Sequence, residues 1–173
     1  MRKIFIIGTL HLGLTPNEEL EKYIARINPD QIFVEITRED IDDKKLKDYP
    51  PEMVFVHGWA IKNGLKLNGF DSNVDMIKEE INEEDKERLF KEQEEIIKEY
   101  NWKDLNKLKN QEIIDLTDEK FVDINKLNKR QSEMLDNINK SMIGEGNILI
   151  ITGCGHLEFF RKNLKSALFP LDN

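Results

Sequence analysis

The sequence predicts an α/β fold: a mostly parallel central sheet flanked by helices, with a charged helical insertion. Three observations predict it. Three short apolar runs, Lys3–Ile7, Gln31–Ile36 and Asn147–Thr152, are rich in β-branched residues and bounded by turn residues. Within them, Ile4-Phe5-Ile6-Ile7 and Ile148-Leu149-Ile150-Ile151 show no polar alternation. Strands of that kind need cover on both faces, which parallel sheets obtain from helices. Between the runs, apolar residues recur at helical spacing.

The elements follow in order. After the first strand, Thr15-Pro16-Asn17-Glu18 reads as a helix start, with a Thr cap and Pro at the first helical position. Leu20, Ile24 and Ile27 then form one apolar stripe. Asn28-Pro29-Asp30 ends that helix and leads into the second strand. Beyond Pro50-Pro51, a helix is expected with Met53, Val54, His57, Ala60 and Ile61 facing inward, stopped by Asn63-Gly64. A weaker strand, Leu65–Phe70, comes next. Residues from about Val74 to Ser141 form the insertion, and the whole chain, 1–173, is expected to fold as one domain. In the insertion, Asn82 and Asp85 suggest a cap for a helix carrying Leu89, Phe90, Gln93, Ile96, Ile97 and Tyr100. A short second helix carries Trp102, Leu105 and Leu108. A third, from about Asp123 to Met142, turns Leu127, Met134 and Ile138 inward. The Glu/Lys density implies solvated faces and makes the insertion a candidate lid or homodimer surface. The last helix is expected from His156, with Leu157, Phe160, Leu164 and Leu168 inward.

Composition narrows function. Of the 173 residues, 26 are Lys or Arg and 34 are Asp or Glu, so 26 − 34 = −8, which disfavours nucleic acid and anionic membranes as partners. No apolar run approaches the ~20 residues of a membrane span. Met1-Arg2-Lys3 leads into an apolar run too short for a signal-peptide core, and the single cysteine, Cys154, fits a reducing compartment, so a cytoplasmic location is expected.

The ionisable residues at the strand ends carry the functional argument. The first strand runs into Gly8-Thr9-Leu10-His11, the second carries Glu35, the weak strand ends at Asp71, and the last runs into Gly153-Cys154-Gly155-His156. The C-terminal edge of an open parallel sheet is where such folds bind ligands. Two imidazoles and two carboxylates there would suit general acid–base chemistry or a divalent metal on His11, His156 and Glu35, with Mn, Co or Zn all reasonable. Gly8 and Gly153 open the two matching Gly-x-x-His segments and are placed with Asp71 and His57 as ligand-binding candidates. For Asp71 the competing role is capping a helix near Asn73; for His57 it is a hydrogen-bonded core position. Arg130, between Leu127 and Met134 on its helix, flanks their inward face and requires an anion: Glu35, Asp71, or a bound carboxylate or phosphate. Cys154 lacks an activating partner and is read as structural.

Several standard chemistries fail on residues. Gly8 to Thr15 has phosphate-loop spacing, but Leu14 stands where Lys is needed. Gly153-Cys154-Gly155 begins like a dinucleotide fingerprint, but Glu158 replaces the third glycine. There is no H-E-x-x-H, no cysteine pair and no G-x-S-x-G.

Strand-Gly-Thr-x-His, a second strand ending Val34-Glu35, a late helix with Arg130 and Met134, and a final strand-Gly-x-x-His together resemble the TraB/PrgY, TIKI and erythromycin-esterase superfamily. The resemblance consists of short islands between Ile4 and His156, and the chain departs from it at Gln131, where the family commonly has Asn. It implies an α/β core and assigns Glu35, His11, His156 and Arg130 as the motif residues of a hydrolase, either an esterase or a metal-dependent peptidase. The expected substrate is a small molecule or a peptide. The alternative expectation is a non-catalytic protein holding an anionic small molecule, a peptide or haem through the same His and Arg residues.

Overall fold

The structure, a computed structural model, describes residues 2–11, 13–114 and 121–172. The stretch 115–120 of the expected insertion lies outside the described residues. Four strands, β1 (Lys3–Thr9), β2 (Gln31–Val34), β3 (Lys66–Gly69) and β4 (Asn147–Gly153), form one sheet in the order β1-β4-β2-β3. All three pairings are parallel. Each expected strand is present, the weak one included.

Alternate residues of each strand feed different helix layers, as the period of two requires. Ile7, Ile32, Val34, Leu149 and Ile151 pack in one cluster with Leu20, Ile24, Met53 and Val56 from helices α1 (Asn17–Ile27) and α3 (Pro51–Lys62). Ile6, Phe33, Ile148 and Ile150 pack in the other, with Met134, Ile138, Leu157 and Phe160 from α5 (Ile124–Ser141) and α6 (Leu157–Asn163). The unbroken apolar runs are thus consumed on both faces of the sheet. A short helix α2 (Arg38–Asp42) follows β2, and α4 (Glu83–Glu99) lies in the insertion. Unlike the other long helices, α4 fully buries none of its residues; it is rooted by Leu89, which packs against a small separate cluster of Phe121, Val122 and Leu127, and by Ile96, which packs against the cluster around Phe160.

Several local expectations are corrected. Thr15 does not cap α1. Its hydroxyl accepts from the Leu10 N–H at 2.8 Å and donates to the Leu10 carbonyl, tying down the loop after β1, while Pro16 occupies the cap position. The inward face of α3 is Glu52, Met53, Val56 and Ala60, whereas Ile61 is 61% exposed. No helix begins near Asn73, so Asp71 caps none. Asp104–Asn106 and Leu108–Ile113 are two 3-10 turns, and Leu108 and Phe90 face outward. A 3-10 turn, Cys154–His156, precedes α6. Leu168 is half exposed; its backbone instead bonds Ile4 and Ile6 along the β1 edge. The capping of α4 by Asn82, which accepts from the Asp85 N–H, is as expected. No helix among the described residues is long and apolar enough to cross a membrane.

Candidate active site

Because the four strands run parallel, their C-terminal ends lie at one rim of the sheet. His11 follows β1, His156 follows β4, Glu35 follows β2 and Asp71 follows β3. β4 lies between β1 and β2, so the two Gly-x-x-His segments are on adjacent strands with Glu35 on the next strand over. Register does the rest. Val34 is level with Ile151, which brings the following carboxylate of Glu35 against Thr152 and Gly153.

Glu35 is tightly held. Its Oε2 accepts from the Thr152 hydroxyl and from the Gly153 N–H, each at 2.6 Å. Its Oε1 faces His156 Nε2 at 3.4 Å and Arg130 Nη2 at 3.7 Å. Burial pushes its pKa up, but the charge and hydrogen bond of His156, the charge of His11 and the Thr152 hydrogen bond more than offset this, and the carboxyl titrates well below its usual range. Glu35 is therefore an ionised anchor and a poor base.

Arg130 reaches the rim from α5 and donates to Asp71 Oδ2 at 2.9 Å. Both of its anions come from the protein, so it is not an empty receptor for a bound anion. Asp71 also accepts from the Ser72 N–H, and burial together with the charge of Glu35 raises its pKa. The two acids of this pair are thus pushed in opposite directions, which leaves Glu35 carrying the fixed charge.

The two histidines meet unlike partners. His156 is buried, and its Nδ1 accepts from the Gln131 amide at 3.3 Å, which leaves Nε2–H to face Glu35. His11 has its Nδ1 2.7 Å from Glu52 Oε1. A carboxylate can only accept, so Nδ1 carries the proton and Nε2 is left with its lone pair. That Nε2 lies beside Gly153: a Cβ built there would sit 2.7 Å from Nε2 and 3.7 Å from Glu35 Oε2. Only glycine at this position leaves room for the imidazole, which with Gly153 lines the cavity over the site. Burial lowers the His11 pKa, but the Glu52 hydrogen bond and the charges of Glu35 and Glu52 outweigh it, and the net shift is upward.

Glu52, which the sequence reading passed over, is fully buried, and its Oε2 has no hydrogen-bond partner among the described residues. It lies on the same stripe as Val56 and Ala60, at i, i+4 and i+8, so the inward face of α3 was the signal that could have found it. His57, one position after Val56, is rotated away. It does not line the cavity, and only burial acts on its pKa, downward. Gly8 is also structural: its N–H donates to Asn106 Oδ1 at 2.7 Å, and a Cβ there would strike Leu157. Gly153 does line the site.

The cavity over these groups has a volume of about 350 Å³. Its floor holds His11, Glu35, Arg130, His156 and the backbone at Gly153–Cys154. The Cys154 thiol is pushed by burial up to about 12, which keeps it an un-ionised, inert wall. A metal on His11, His156 and Glu35 does not fit. Among the described residues no group of three or more His, Cys, Asp or Glu is arranged to hold one. The physical reason lies at Glu35, whose Oε2 accepts from two donors and whose Oε1 faces a guanidinium and the Nε2 of His156. Comparison with known proteins returns no match to the chain, whether a family model, a curated protein or a solved structure.

Proposed function

We propose that the chain is a hydrolase of carboxylic esters or amides, of the type that the resemblance to the TraB/PrgY, TIKI and erythromycin-esterase superfamily implies, working without a metal. The observation that carries this reading is the orientation of His11: Nδ1–H is fixed by a buried carboxylate, so Nε2 keeps its lone pair on a ring that lines the cavity next to Gly153.

In that arrangement His11 is the general base. Nε2 removes a proton from a water molecule, the oxygen forms a bond to the acyl carbon, and the carbonyl π electrons move onto oxygen. Glu52 stabilises the imidazolium that results, as a buried carboxylate does for the base of a catalytic triad. The Arg130 guanidinium and the His156 N–H supply positive charge near the developing oxyanion, in a site where both are already positioned. Collapse of the tetrahedral intermediate breaks the bond to the leaving group, which takes the proton back from His11 Nε2. Glu35 keeps His156 and Arg130 in place throughout.

The test is turnover. Purified protein given a panel of carboxylic esters and amides should hydrolyse at least one of them. The substitution His11→Ala should then lower kcat by about 10²- to 10⁴-fold with the fold intact by circular dichroism. Full activity in His11→Ala would contradict the reading.

A further inference from the structure

The cavity has two unlike halves. Its floor is polar, but its walls are mainly apolar: Leu14 from the loop after β1, Met76, Ile114, and Ile96 and Ile97 from α4, with Gln93 of α4 the polar member among the described residues. Of the α4 wall, Ile96 also packs against the core cluster around Phe160, while Ile97 belongs to no core cluster and none of the 17 residues of α4 is fully buried. The charge balance of the floor is equally particular. The single guanidinium is matched by Asp71 at 2.9 Å and Glu35 at 3.7 Å, and a third carboxylate, Glu52, stands behind His11. Among the described residues, no Lys lines the cavity. Among the described residues the negative groups of the floor outnumber its one guanidinium, so a substrate with a full negative charge of its own is disfavoured, while an apolar chain would find walls that exclude water.

We propose that the substrate is an uncharged ester with a straight apolar acyl chain of about six carbons, lying along the Ile96–Ile97 side of α4 while its carbonyl meets the polar floor. A cavity of about 350 Å³ is near the small end of ligand pockets, so it suits such a chain and not a large ring. The inference rests on the hydrolase reading above and adds to it the chemistry of the acyl half.

The experiment compares kcat/KM for the 4-nitrophenyl esters of acetate, butyrate and hexanoate with that for the mono-4-nitrophenyl ester of adipate. The adipate ester has the six-carbon chain and a terminal carboxylate. Transfer of each methylene into an apolar wall is expected to give about a fourfold gain, or about 250-fold over the four methylenes from acetate to hexanoate. The adipate ester should fall at least tenfold below the hexanoate. Substitution Ile97→Trp, which fills the chain's path, should lower the hexanoate-to-acetate ratio at least tenfold. A flat or falling series, or adipate equal to hexanoate, would overturn the inference and leave the hydrolase reading standing. If no ester is turned over, the hydrolase reading fails. Calorimetry with 2-octanone against octanoate then decides the acyl half by itself. Binding of the ketone alone, lost in Ile97→Trp, supports it, and no ketone binding ends it.

Discussion

The two Gly-x-x-His segments leave neighbouring parallel strands at the same end of the sheet, with the same spacing, yet their imidazoles are put to different uses. His156 is enclosed: Gln131 donates to one ring nitrogen and Glu35 faces the other. His11 is open on one side, with its ring 40% exposed, and only one nitrogen is occupied, by the fully buried Glu52. A histidine with both nitrogens engaged can stabilise charge and hold geometry. One with a lone pair directed into a cavity can move a proton. The difference comes from the helices behind the strands. Helix α3 supplies His11 with an acceptor, whereas α5 supplies His156 with a donor.

The contrast can be broken most severely at His11, whose loss should remove nearly all turnover. Gly153→Ala comes next. Its methyl group would stand 2.7 Å from His11 Nε2, so activity should fall about a hundredfold with little change in thermal stability. The matching change at the other centre should have the opposite signature. Glu35→Gln removes the charge shared by His156 and Arg130 and should cost about 3 kcal/mol in chemical denaturation, because a part-buried guanidinium loses one of its two anions.

A smaller effect sharpens the comparison through pH. His11 must be neutral to act as a base, and its pKa is raised above 6.5, so kcat/KM should climb with pH through a point above 6.5 and then level off. Glu52→Gln removes the hydrogen-bonded anion that raises this value, so the inflection should move to lower pH while kcat falls about a hundredfold. For Glu35 the sign is the reverse. Its folded pKa lies below 4.5, so the stability it contributes is fully present above 4.5 and drains away as the pH falls below that value. The acid slope of stability should be shallower in Glu35→Gln. Least of all, Cys154 should not react with iodoacetamide at pH 8 until the protein is unfolded, since its thiol titrates near 12.

How much of this was legible in sequence depends on which physical signal carried each part. The strands were, because unbroken runs such as Ile148–Ile151 can only be satisfied between two helix layers. The meeting of His11, Glu35, Asp71 and His156 followed from parallel strands ending at one rim. Arg130 was placed correctly because a guanidinium beside Leu127 and Met134 must find anions, and it found Asp71 and Glu35. The errors came from phase and from loops. An inward stripe on α3 assigned about one residue too late promoted His57 and hid Glu52. Asp71 looked like a cap because a short carboxylate before Ser72-Asn73 fits a helix start, whereas its partner lies 59 residues away on α5. Thr15 likewise had the chemistry of a cap and used it on the Leu10 backbone. The metal expectation did not survive for a related reason: ligand types were countable from sequence, but the donors that occupy the Glu35 oxygens were not.

With three histidines in the chain, the imidazole nitrogens can be resolved directly by 15N NMR across a pH titration. The account predicts that His11, when neutral, carries its proton on Nδ1, titrates above 6.5, and shifts to lower pH in Glu52→Gln. A neutral His11 protonated on Nε2, or a titration unmoved by Glu52→Gln, would contradict it.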